Sequence, residues 1–215
     1  MAFPVSSPNA FMRSCTDSRA EEDMPLNLPM ILTWARIAMI PMVIGVFYLP
    51  EAVIPAHWQN ATACTLFTLA AITDGFDGYL ARRYNLITPL GAFLDPVADK
   101  LMVCAALVVL LSLGRVDEFV ALVIIGREIT VSALREWMAI VGAAASVAVN
   151  WLGKLKTIMQ MVAIPFLLYH DRLFGVIPVA AIGTLLIYVA AALTVYSMFY
   201  YLRLAWPHLI SGDGR

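Results

Sequence analysis

Charge is what this sequence has least of. Only 13% of its 215 residues are Asp, Glu, Lys or Arg, while 61% are hydrophobic. A soluble domain carries about a quarter charged residues and about half apolar ones. The shortfall argues against an ordinary soluble domain, which needs a polar surface around its core, and points to an integral membrane protein. Cysteine is scarce too: Cys15, Cys64 and Cys104 are scattered without CxxC spacing, so neither a disulfide framework nor a cysteine-ligated zinc site is expected. The formal net charge of −1 marks no class of partner, and no nucleic-acid partner is expected. The start of the chain, MAFPVSSPNAFMRSCTDSRAEED, lacks the apolar run of a signal peptide and carries acidic residues foreign to transit peptides. Residues 1–24 therefore read as a mobile tail and 25–215 as one domain, with no internal repeat.

What the sequence does have is a succession of apolar runs near the roughly 20 residues that a bilayer-crossing helix needs. They predict six helices, over 29–49, 57–82, 89–113, 119–141, 151–169 and 177–204. The expected fold is an all-α, six-helix transmembrane bundle. Pro41 falls inside the first helix, where a kink is expected, and Pro89 suits the first turn of the third. With the N-terminus in the cytoplasm, Arg13, Arg19, Arg82, Arg83, Lys154, Lys156 and Arg203 fall at or near cytoplasmic ends, and the external connections hold only Arg115 and Arg172. That is the positive-inside pattern.

One stretch breaks the apolar rule: DGFDGYLARRYNLITPLGAFLDPVADK, residues 74–100. Asp74, Asp77, Gly78, Ala81 and Arg82 recur at i, i+3, i+4, i+7 and i+8, and Gly91, Asp95 and Asp99 at i, i+4 and i+8. Each set is one helical face, and the short connection between them predicts antiparallel neighbours with converging acidic faces. Four carboxylates that close require protonation or a neutralising cation, and a cluster of oxygen ligands suits Mg²⁺ or Mn²⁺. Gly78, Ala81 and Gly91 leave an open wall, and the planar fork of Arg82 matches phosphate oxygens. Metal, phosphate and open wall together suggest a nucleotide diphosphate. Arg83 and Lys100 read as interfacial anchors.

These residues resemble the signature of the CDP-alcohol phosphotransferase family, D-x-x-D-G-x-x-A-R-(x)n-G-x-x-x-D-x-x-x-D, at all eight fixed positions. The resemblance implies that Asp74, Asp77, Asp95 and Asp99 surround two divalent ions, that Asp99 doubles as general base, and that Gly78, Arg82 and Thr88 contact the CDP moiety. The segments NLPMILTWARI, GREITVSALREWMA and WLGKLKTIMQMVAI are similar to family members of bacterial inner membranes whose acceptor is sn-glycerol 3-phosphate. The implied donor is CDP-diacylglycerol, drawn from the membrane lipids, with the active site facing the cytoplasm; a homodimer is also implied. The family's N-terminal segment usually reads N-x-P-N-x-L-T, and Met30 stands where the second Asn is expected, leaving Asn27 and Thr33 as the nucleotide contacts.

An anionic acceptor needs cations. Arg127 and Arg135 in the fourth helix and Lys154 and Lys156 at the start of the fifth are the candidates, with Arg36 in the first helix added to the set. Two readings stand for each arginine: it binds phosphate, or it pairs with Glu128, Glu136 or the motif aspartates. Arg36 either meets phosphate or snorkels, and Gln160 reads as a polar helix contact. Two functional alternatives also stand: another acceptor (inositol phosphate, serine or phosphatidylglycerol), or a cation transporter built on intramembrane carboxylates.

Overall fold

The computed structural model describes residues 28–84, 89–141, 151–173 and 175–210. The N-terminal tail, Asn27 and Thr88 lie outside the described residues, as do the side chains of Asp77, Arg82 and Lys154. Six helices carry the described chain: α1 Leu28–Val46, α2 Ala56–Tyr84, α3 Pro89–Ser112, α4 Glu118–Ile140, α5 Trp151–Tyr169 and α6 Val179–Ile210. Between α5 and α6 lies a two-residue antiparallel hairpin, β1 Arg172–Leu173 and β2 Ile177–Pro178.

Local chemistry explains the boundaries. After α3, Gly114 takes φ 66°, which frees its N–H to reach Leu111 O while Arg115 N–H reaches Leu110 O, both at 2.9 Å. This is a Schellman closure that satisfies the last carbonyls of α3. Asp117 then caps α4, accepting from Phe119 N–H at 2.8 Å, with Glu118 in the first turn on the favourable end of the helix dipole. Thr65, Thr68, Thr130 and Thr184 donate their hydroxyls to carbonyls one turn back. Polar groups on these apolar helices are thus satisfied inside their own segment, as a lipid environment demands.

The helices close into a ring. α1 packs on α2 and α3, α2 on α5, α5 on α6, α6 on α4, and α4 returns to α3. A core including Val43, Phe67, Leu107, Leu110, Ile124, Ile164 and Ile187 draws on all six helices. A second cluster joins Val131, Leu134 and Met138 of α4 to Tyr201 and Ala205 of α6. Gly183 lets α6 approach α5 closely, since a Cβ there would meet Leu167 Cγ at 3.0 Å and Phe166 Cβ at 3.1 Å; small residues serve this purpose between helices. Large apolar side chains also point outward from every helix, among them Trp34, Leu69, Val108, Leu122, Ile158 and Leu185.

Among the described residues, one helix, Val179–Trp206, is long and apolar enough by itself to cross a membrane, and Ile31–Val46 and Leu155–Tyr169 are shorter apolar helices. α2, α3 and α4 carry charged residues, among them Asp74, Asp95, Asp99, Arg127 and Glu128, and these lower their hydropathy. The sequence pattern also predicted direct pairing of α2 and α3. Among the described residues both pack chiefly on α1 instead, and α1 supplies partners to a carboxylate on each.

Candidate active site

Those groups are Thr33 and Arg36, one turn apart on α1 and respectively 2% and 1% exposed. Thr33 Oγ1 donates to Asp95 Oδ1 of α3 at 2.7 Å. Arg36 Nη1 lies 2.7 Å from Asp74 Oδ1 of α2. One face of α1 therefore orients a carboxylate from each half of the acidic motif. Arg36, which the sequence reading grouped with the acceptor cations, lies against the signature carboxylate Asp74. Thr33, expected at the nucleotide, holds an aspartate.

Asp77, Gly78 and Arg82 continue the Asp74 face of α2 by helical register, and Gly91 precedes Asp95 by one turn on α3. Asp99, one turn beyond Asp95, feels the charges of Asp74, Arg36, Glu128 and Lys100. It stands between the acidic motif and a second polar region. Among the described residues no three acidic, His or Cys side chains are grouped closely enough to hold a metal ion. The donor chemistry nevertheless fits a hard divalent cation: Asp74 and Asp95 are carboxylates each oriented by a buried partner, the supporting arrangement that metal ligands need.

The second region is a cavity of about 460 Å³ between α3, α4 and α5, lined by Asp99, Arg127, Glu128, Arg135, Thr157 and Gln160 among others. Arg127 is 6% exposed. Its Nη2 donates to Ser197 Oγ at 3.3 Å, and Ser197 in turn donates to Thr194 O at 3.0 Å, so α6 fixes the guanidinium from behind. Its Nη1 is only loosely set against Glu128 Oε1, at 3.5 Å. The guanidinium of Arg135 lies over the Tyr201 ring, 5.4 Å from its centroid, a cation–π arrangement. The Nε atoms of both arginines are buried without a hydrogen-bond partner.

Glu128 itself is taken by Lys156, a residue 1% exposed on α5. The sequence reading passed over this pair, although both residues were visible as buried-helix charges of opposite sign. Lys156 pairs with Glu128, and Arg127 and Arg135 line the cavity together with the carboxylates of Asp99 and Glu136. Of the two readings for these arginines, Arg127 makes the internal pair with Glu128 only at 3.5 Å, and both arginines keep a buried Nε without a hydrogen-bond partner. The cavity thus places two arginines and the carboxylate of Asp99, among other charged groups, around one space.

A family model described as CDP-alcohol phosphatidyltransferase matches residues 26–200. The chain belongs to this family. It is also 46% identical over 190 residues to proteins of Escherichia coli (strain K12), Salmonella typhimurium (strain LT2) and Shigella flexneri, each named CDP-diacylglycerol–glycerol-3-phosphate 3-phosphatidyltransferase. The similarity covers 87% of this chain and 99% of each relative.

Proposed function

We propose that this protein transfers the phosphatidyl group of CDP-diacylglycerol to sn-glycerol 3-phosphate, giving phosphatidylglycerophosphate and CMP. The observation that carries the reading is the single cavity in which Asp99 faces Arg127 and Arg135. A phosphate at one end of a small acceptor suits the arginines, while its far hydroxyl suits the carboxylate. The names of relatives at 46% identity over nearly their whole length support the same donor and acceptor.

In this mechanism Asp99 takes the proton from the acceptor's 1-hydroxyl as that oxygen attacks the phosphorus bearing the diacylglycerol. The new P–O bond forms as the bond to the CMP oxygen breaks, and CMP leaves with the electron pair. Arg127 and Arg135 hold the acceptor phosphate and fix the attack direction. Arg82, Gly78 and the loop residue Thr88 hold the nucleotide, with Asn27 near it, and Lys154 adds positive charge at the start of α5. Asp74, Asp77, Asp95 and Asp99 would hold Mg²⁺ or Mn²⁺, which would neutralise the pyrophosphate and the departing phosphate.

All six helices span the bacterial inner membrane in this reading, with the aspartate end at the cytoplasm. The outward apolar side chains on every helix and the clustering of basic residues at that end support it. The diacyl chains then stay in the bilayer while the headgroup reacts at its surface. A homodimer is proposed from family membership. The deciding experiment supplies purified protein with CDP-diacylglycerol, Mg²⁺ and a panel of acceptors. CMP release should require glycerol 3-phosphate; release with inositol phosphate, serine or phosphatidylglycerol in its place would reassign the acceptor.

A further inference from the structure

The cavity between α3, α4 and α5 holds a buried amide that the mechanism above does not use. Gln160 lines it, is 3% exposed, and its Oε1 is buried with no hydrogen-bond partner. An amide oxygen left in this state is unfavourable unless something fills it. The cavity's other neutral polar side chains are spent on their own helices: Ser132 Oγ donates to Glu128 O at 2.7 Å, and Thr157 Oγ1 to Gly153 O at 2.9 Å. Gln160 sits one turn beyond Lys156 and three residues beyond Thr157, so α5 carries it on the face that lines the cavity.

The required ligand group is a neutral hydrogen-bond donor in a cavity that Gln160 shares with Asp99, Arg127 and Arg135. Arg127 and Arg135 call for the anion, and Asp99 takes the proton of the attacking hydroxyl. We propose that Gln160 is a specificity-determining residue that hydrogen-bonds the 2-hydroxyl of the acceptor, the one oxygen of glycerol 3-phosphate that neither binds as phosphate nor reacts. This rests on the acceptor proposed above. A hydroxyl both donates and accepts, so either end of the amide engages it. The contact would reject three-carbon phosphates lacking that hydroxyl, because they leave the buried amide unpaired, and would hold the 1-hydroxyl in register with Asp99.

The test compares kcat/KM for glycerol 3-phosphate and for 3-hydroxypropyl phosphate, the analogue lacking the 2-hydroxyl, in the wild type and in Gln160→Met. The wild type is expected to prefer glycerol 3-phosphate by about 10-fold or more. Gln160→Met should lose that factor on glycerol 3-phosphate while keeping the wild-type value on the analogue, so the preference falls to near one. Equal losses on both substrates, or an unchanged preference, would make Gln160 a packing residue and overturn the assignment. If Gln160→Met fails to fold, the wild-type preference and Gln160→Asn, which withdraws the amide by one methylene, decide the matter: a wild type that does not discriminate, or an Asn variant with undiminished preference, refutes it. A wild type inactive on glycerol 3-phosphate but active on another alcohol defeats the proposed reaction itself, a result distinct from loss of the Gln160 contact alone.

Discussion

Arg36 reaches Asp74 across 2.7 Å while only 1% of its side chain is exposed. A guanidinium buried that deeply is retained only with compensation, and here the compensation is a carboxylate of the signature motif. The pair ties α1 to α2 just where the acidic face begins. Arg36→Met should therefore lower stability by about 2–3 kcal/mol and cut turnover by at least about 10-fold, because Asp74 loses both its orientation and its compensating partner. Arg36→Lys keeps the charge but not the planar fork and should retain part of both. Thermal unfolding in detergent and CMP release measure the two effects; a fully active, fully stable Met variant would remove Arg36 from the site.

In the proposed mechanism Asp99 is the base. Asp99→Asn should reduce kcat by about 10²–10⁴-fold, while the protein remains folded and still binds CDP-diacylglycerol. Normal turnover by this variant would move the proton-accepting role elsewhere.

Divalent cation should be required in the same assay. EDTA is expected to abolish CMP release, and Mg²⁺ or Mn²⁺ to restore it, with Ca²⁺ a poorer substitute because its longer, looser coordination fits the site less well. Activity that persists after exhaustive chelation would separate the aspartates from any metal role.

Much of this architecture was legible in the residues. Apolar runs punctuated by Pro50, Pro89 and Gly114 marked six helices whose limits agree with the structure to within a few residues in most cases, and the Asp spacing marked two faces. What periodicity cannot say is which helix a face meets. Thr33 and Asp95 are 62 residues apart, and nothing local announces that α1 lies against both α2 and α3. The same blindness assigned Arg36 to the acceptor, overlooked Lys156 on Glu128 and left Gln160 as a polar contact. The two-residue hairpin β1–β2 is too short to leave a pattern. Local sequence specifies faces, whereas long-range packing chooses partners.

The arginines of the cavity should separate binding from chemistry. Arg127→Gln and Arg135→Gln are each expected to raise KM for glycerol 3-phosphate by about 10- to 100-fold, the scale of a lost charge-assisted hydrogen bond. KM for CDP-diacylglycerol should stay near its wild-type value. Glu51→Gln, a change at an exposed carboxylate outside the cavity, serves as the control and should leave both constants alone. Arginine variants that impair donor binding instead would place the acceptor phosphate on other residues.

Away from the chemistry, Arg115 fastens the opposite part of the bundle. Its Nη1 donates to Leu167 O and Leu168 O at 3.1 and 2.8 Å, its Nη2 donates to Asn60 Oδ1 at 2.7 Å, and its guanidinium lies 5.9 Å from the centre of the Phe47 ring. One side chain thus caps the end of α5 and joins it to α2 and α1. Arg115→Ala should lower stability by about 2–4 kcal/mol through these charge-assisted bonds, with turnover per folded molecule unchanged. The neighbouring His170 adds a pH dependence. Burial, and then the charge of Arg115, hold its imidazole below the usual histidine range, against the opposing pull of Asp171. The folded state consequently prefers neutral His170. As pH falls through the ordinary range near 6.5, the unfolded chain takes up the proton first, so stability should decline from there until the lower folded value is passed. His170→Asn, which tolerates the φ of 58° at this position, should flatten that acid slope in melting curves taken between pH 7 and pH 5. A slope as steep in the Asn variant as in the wild type would assign the acid sensitivity to another group.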